Sequence, residues 1–148
     1  LEDARTGGEA PLSNVLHALA ERVRRRGLII VLSDGFDDLD ALANAIGHLR
    51  HRRHEVLFFQ ILAPEEEEFP FRKPSRFRNL ERLDNLLRID PAALRTQYLE
   101  RFSAHCRGLK EKARGMNADY HRISTATPPD RALRDYLAAR SSRRGGAR

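Results

Sequence analysis

Two acidic clusters hold most of the reactive chemistry in this sequence. The first is Ser33-Asp34-Gly35-Phe36-Asp37-Asp38, which places carboxylates at positions 34, 37 and 38. The second is the run Glu65-Glu66-Glu67-Glu68. Carboxylates grouped in loops can hold a hard divalent cation or receive a basic partner. Each cluster also has a plainer use. Ser-Asp-Gly is good turn chemistry, and Asp37 or Asp38 can cap the next helix. Adjacent glutamates repel one another and are ordinarily exposed and solvated. His51 and His54 are three apart with no cysteine or carboxylate at ligand spacing, so no zinc site is assigned to them. Cys106 falls on an apolar helical stripe and reads as an inert buried thiol. The chain has no Gly-x-Ser-x-Gly elbow, no P-loop and no His-Glu-x-x-His motif, so no catalytic residue is assigned.

The element that must position the first cluster is the run Gly27-Leu28-Ile29-Ile30-Val31-Leu32-Ser33. Consecutive branched apolar residues closed by a turn signal predict a strand buried on both faces, of the kind found in parallel sheets. Ligands of such sheets sit beyond the carboxyl ends of the strands, which is where Asp34 stands. Upstream, Leu12, Val15, Leu16, Leu19, Ala20 and Val23 predict an amphipathic helix starting at Pro11, with Arg24 to Arg26 at its end and Gly27 closing it. Downstream, Leu39, Leu42, Ala43, Ile46 and Leu49 predict a helix over about 38–51, followed by a buried strand over 55–62. The strand–helix–strand order makes these two strands parallel, with a right-handed crossover.

The segment 63–68 reads as an exit loop, and the phenylalanines of Phe69-Pro70-Phe71 are expected to tuck the chain onto the body. Residues 77–81 and 86–89 suggest a β-hairpin around a turn at 83–85. Asp90-Pro91 opens the longest helix, with Leu94, Tyr98, Phe102, Cys106, Leu109 and Ala113 on its buried stripe and Gly115 at its end. Residues 119–124 predict a third parallel strand and 125–129 its exit loop. Leu133, Tyr136 and Leu137 anchor a last short helix. The organisation expected is one domain over residues 1–140 and a disordered basic tail over 141–148.

The formal net charge is +6, but the positive residues are interspersed with acidic ones and lack aromatic interleaving. Nucleic acid is therefore not the expected partner. A single cysteine excludes an internal disulfide and fits a reducing compartment. No apolar run approaches the roughly 20 residues of a membrane helix, and no signal peptide is visible. A cytoplasmic location is expected, with membrane association left to segments upstream of Leu1. The chain starts at Leu1 rather than Met, which suggests a fragment or a processed product.

The run from Arg26 to Asp34 with Phe36-Asp37-Asp38 resembles a bacterial family of unknown function, the domain-of-unknown-function 58 type, whose C-terminal part resembles a von Willebrand factor A domain. The resemblance continues through His48-Leu49-Arg50-His51-Arg52-Arg53-His54-Glu55-Val56, Phe69-Pro70-Phe71, Asp90-Pro91, Tyr98 and Asp119-Tyr120, and covers about residues 7–140. It implies an α/β fold: a Rossmann-like three-layer α/β/α arrangement, here a partial von Willebrand factor A-like domain with a mostly parallel sheet. Domains of that type can hold a divalent metal through an Asp-x-Ser-x-Ser loop, a threonine and an aspartate. Asp34 matches the aspartate. Gly8-Glu9-Ala10 stands where relatives look like Gly-Glu-Thr, so the hydroxyl is missing, and the Asp-x-Ser-x-Ser loop would lie upstream of Leu1. Asp34 is thus expected to be a partial ligand, and Mg²⁺ binding weak, because Mg²⁺ demands octahedral oxygen ligation.

The resemblance further implies work beside a MoxR-type AAA+ ATPase in assembly or maturation. The expected function is a non-enzymatic protein-interaction module, with Asp34, Asp37, Asp38, Glu65 and Glu66 as partner-binding residues at the strand exits. The alternative is a metal-dependent hydrolase using Asp34 with residues 65–68 and a nearby histidine. Without an upstream strand beside it, the segment 28–33 would present an open apolar edge. That edge is expected to pair with a missing N-terminal half or with a second copy.

Overall fold

A computed structural model of the chain describes residues 10–71, 75–78, 86–89 and 91–145. The element order is α1 (Leu12–Arg22), β1 (Leu28–Ser33), α2 (Leu39–His51), β2 (Glu55–Leu62), α3 (Pro64–Glu68), β3 (Ser75–Arg78), β4 (Leu86–Ile89), α4 (Pro91–Gly115), β5 (Asp119–Ser124) and α5 (Pro129–Gly145). β1, β2 and β5 form a parallel sheet in the order β1-β2-β5, flanked by helices. β1 runs in register with β2 from Leu28 opposite Glu55 to Ser33 opposite Gln60. This is the α/β, Rossmann-like class expected from the alternation of elements.

The chain forms two compact units. The first comprises Leu1–Ile61 and Gly108–Arg122, and the second Leu62–Arg107 and Ile123–Arg148. The core of the first unit gathers Leu16 and Ala20 of α1, Val31 of β1, Leu42, Ala45, Ile46 and Leu49 of α2, Val56 and Phe58 of β2, and Leu109 and Ala113 of α4. α2 has its expected bounds because Asp38 caps it through the Ala41 amide (2.8 Å) and basic residues close it. His54, just after α2, is fully buried. Its Nδ1 accepts from the Gly27 amide (3.3 Å) and its Nε2 lies 3.3 Å from the Val23 carbonyl. The histidine therefore bridges the exit of α1 and the entry to β1.

Several expectations are corrected. α1 ends at Arg22 with an extended Val23 cap, so Arg24 to Arg26 lie beyond the helix, and Val15 is exposed rather than core. β1 is not buried on both faces: Leu28, Ile30 and Leu32 are 46%, 53% and 68% exposed, while Val31 is buried. Side chains alternate between the two faces of a strand, and only the Ile29–Val31 face of β1 meets the core; among the described residues β1 also ends the sheet. The acidic run is not a loop but a short helix, α3, started by Pro64 and favoured by glutamates near its positive end.

In the second unit, β3 and β4 pair antiparallel, with Phe77 opposite Leu87. The hairpin is present with its first strand two residues earlier than expected. The turn at 83–85 and the capping Asp90 lie outside the described residues. On α4, Phe102 and Cys106 pack with Leu62 and Tyr98, while Leu94 is exposed. α5 runs on through Gly145 and is longer than expected, so residues 141–145 are helical rather than disordered. No helix breaker interrupts Ala138-Ala139-Arg140-Ser141-Ser142-Arg143-Arg144 before the Gly145-Gly146 pair. Tyr136 is its buried anchor, whereas Leu133 and Leu137 are about half exposed.

Candidate functional site

The loop from β1 to α2 carries the sequence's main candidates, and its shape is fixed from three directions. Asp34 turns the chain, its Oδ1 accepting from the Phe36 amide (3.2 Å) and the Ser33 hydroxyl (3.3 Å). Gly35 follows at φ 75°, and a Cβ there would stand 2.5 Å from Leu109 Cδ2, so both backbone and space require glycine. From below, the fully buried Gln60 of β2 donates from Nε2 to the Asp34 carbonyl at 2.8 Å. Gln60 Oε1 in turn accepts from the Tyr120 hydroxyl of β5.

The three aspartates of this loop have separate duties. Asp38 caps α2. Asp37 serves α1: its Oδ2 accepts from the Ser13 amide at 2.8 Å, and its Oδ1 from the Asp38 amide at 2.7 Å. Pro11 stands at the cap position of α1 and makes no side-chain cap bond, so a carboxylate from a distant loop does the work a Ser or Asp would do there. Burial pushes the Asp37 carboxyl up, but the Ser13 and Asp38 amides and the Ser13 hydroxyl outweigh it and hold the group below its ordinary value. Asp34 keeps its side chain exposed. The expected cap of the next helix is therefore Asp38, Asp37 caps the preceding helix α1 instead, and Asp34 is the exposed carboxylate of the three that caps neither helix.

In the second unit, Glu65 and Glu66 sit together on α3. Glu66 folds back so that Oε2 accepts from the Ala63 amide at 2.7 Å, which is one half of a capping box. Glu65 is exposed. Arg95 of α4 ties off the far end of α3, donating to the Glu68 carbonyl (3.0 Å) and the Phe69 carbonyl (3.3 Å). Phe69 is buried against Tyr98 (ring centroids 4.7 Å apart) and Phe71 (5.3 Å), as a chain tucked onto its own unit should be. Burial, then the nearby Glu66 and Cys106, push the Tyr98 hydroxyl above its ordinary value. The 125–129 loop is held by the Thr125 amide donating to the Leu62 carbonyl (2.8 Å) and the Thr127 amide to the Ser124 carbonyl (2.9 Å).

Among the described residues, no group of three or more His, Cys, Asp or Glu side chains is gathered as metal ligands would be. Sequence reasoning missed Gln60 and Ser13, the two residues that set the loop. Gln60 left a signal, a lone amide inside an otherwise apolar strand. Ser13 left none, because its partner lies twenty-four residues away.

Beside the loop, β1 presents an exposed apolar feature. Leu28, Ile30 and Leu32 alternate along one face, and Phe36 in the following loop is also 51% exposed. No helix of the described residues is long and apolar enough to cross a membrane.

A family model described as a protein of unknown function, DUF58, matches residues 3–107, which include α1 through most of α4. No curated protein and no solved structure matches the chain.

Proposed function

Because the chain belongs to the DUF58 family, we propose that it is a non-enzymatic protein-interaction module of von Willebrand factor A-like design, acting with a MoxR-type AAA+ ATPase in assembly or maturation. The observation that carries this reading is the row Leu28, Ile30 and Leu32, three large apolar side chains that remain 46–68% exposed on a strand which, among the described residues, ends the parallel sheet, with Phe36 of the next loop 51% exposed as well. Contiguous apolar surface of this kind marks a docking site. An unpaired sheet edge offers main-chain hydrogen bonds to an incoming extended segment. The exposed carboxylate of Asp34 stands at the end of that row and selects a basic or cation-bridged group there. Glu65 adds exposed negative charge on α3.

A strand from a partner, such as a second copy of the chain, would cover that edge by pairing with it. Asp34 alone is a poor Mg²⁺ site, so cation capture at this loop is weak or shared with the partner. The working location is the cytoplasm, where the ATPase would reach it.

The test is co-purification of the complete protein with its MoxR-type ATPase, for the wild type, Asp34→Ala and Leu32→Arg. Both variants should keep the wild-type circular dichroism spectrum, since both side chains are exposed, and both should lose capture of the ATPase. Capture equal to wild type in both would overturn the reading. Turnover of a phosphoester in Mg²⁺ or Mn²⁺ that disappears in Asp34→Ala would favour the hydrolase alternative instead.

A further inference from the structure

We propose that His17 and His48 form a binding site for a borderline transition-metal ion, Zn²⁺ or a similar N-seeking dication, held between α1 and α2 and separate from the Asp34 loop. The two Nδ1 atoms face each other at 3.1 Å. A tetrahedral Zn²⁺ with Zn–N bonds of about 2.0–2.1 Å sets its nitrogens about 3.3 Å apart. The existing gap is therefore within a few tenths of an ångström of the bite the ion needs. The rings are inclined at 44° with centroids 5.4 Å apart, so they are not stacked flat against each other, and a small rotation of each aims both lone pairs at one point.

The outer side of the pair is built as metal-binding histidines usually are. His48 Nε2 lies 3.2 Å from Glu21 Oε1, and Glu21 Oε2 is held at 3.2 Å by Arg52. A carboxylate on the far nitrogen of a histidine keeps the proton there, leaves the near nitrogen as a donor and raises its basicity. With Nε2–H pointing at Glu21, His48 Nδ1 carries a lone pair and accepts the hydrogen of His17 Nδ1. Binding moves that hydrogen to His17 Nε2, so two neutral imidazoles present their Nδ1 lone pairs and no net proton is released. Imidazole nitrogen suits Zn²⁺, Ni²⁺ and Cu²⁺ over Mg²⁺ and Ca²⁺. Among the described residues no third His, Cys, Asp or Glu joins the pair as a cluster, so water fills the remaining positions and the ion exchanges. Its structural effect is to staple α1 to α2.

The experiment titrates untagged protein with Zn²⁺ by calorimetry and with Co²⁺ by visible absorption. One ion per chain is expected, with the melting temperature rising as Zn²⁺ is added. His17→Ala combined with His48→Ala should abolish that site. Glu21→Gln should keep it with affinity reduced about 10–100-fold, the usual consequence of losing the carboxylate behind a ligand. Equal uptake by wild type and the double variant overturns the proposal, as does no uptake by wild type. Should the double variant misfold, nitrogen NMR of the wild-type histidine rings decides. Zn²⁺ must shift the Nδ1 signals of His17 and His48, and shifts confined to the other histidines would refute the site.

Discussion

β1 and β2 are written in nearly the same alphabet, Leu-Ile-Ile-Val-Leu against Val-Leu-Phe-Phe-Gln-Ile-Leu, and lie side by side in register. Yet β2 is buried almost throughout, while β1 leaves every second side chain in water. The difference lies in position and not in composition. Among the described residues, β2 has a strand on each side and β1 only one. An apolar strand at the end of a sheet is a liability for aggregation unless something covers it, and the partner proposed above would supply that cover. The polar residue inside the apolar run 56–62 of β2, Gln60, is equally informative: it is fully buried, and its amide holds the loop that leaves β1.

The contrast can be broken by substitution. Phe58→Ala in β2 removes a fully buried ring and should cost about 3–5 kcal/mol in urea unfolding, whereas Leu32→Ala in β1 should fall within about 0.5 kcal/mol. Comparable losses at both sites would mean that β1 is covered in the free protein. Gln60→Leu leaves the Asp34 carbonyl and the Tyr120 hydroxyl without this partner and should cost about 1–3 kcal/mol. It should also speed amide exchange at residues 34–37, a local change that Phe58→Ala would show only through global unfolding.

Asp37→Ala removes the cap that α1 borrows from the loop and should cost about 1 kcal/mol at neutral pH. The pH dependence follows from the sign of the shift. The folded Asp37 carboxyl lies below its ordinary value, so its stabilisation is present above the unfolded value, near 4, and is lost as pH falls through the folded one. Acid unfolding curves of wild type and Asp37→Ala should therefore converge below about pH 4. Curves that stay parallel would show that the carboxylate does not support α1. A similarly small effect is expected at the exposed Arg26–Glu55 pair (3.2 Å) between the two strand entries. There Arg26→Ala should change stability by less than about 1 kcal/mol.

Much of this was legible in the residues alone. The helical spacing from Leu39 to Leu49, the cap at Asp38 and the apolar run before Ser33 are local signals, and the elements they define appear with those bounds or within a residue or two. The alternation of strands and helices was enough for the fold class, because parallel strands joined through helices have few ways to pack. Asp34 was identifiable as a candidate because any residue leaving a parallel strand stands at the sheet's carboxyl end.

The tertiary structure decided what depends on contacts distant in sequence. Which of two apolar strands keeps a wet face depends on what packs over each face, and that is not written in either strand. Whether Asp37 is a free charge or a helix cap depends on Ser13 arriving beside it, and whether His17 and His48 are separate surface groups or one pair depends on α1 crossing α2 at that turn. Local propensity and periodicity act over a few residues. Partnerships spanning 24 and 31 positions are settled only when packing brings the helices together.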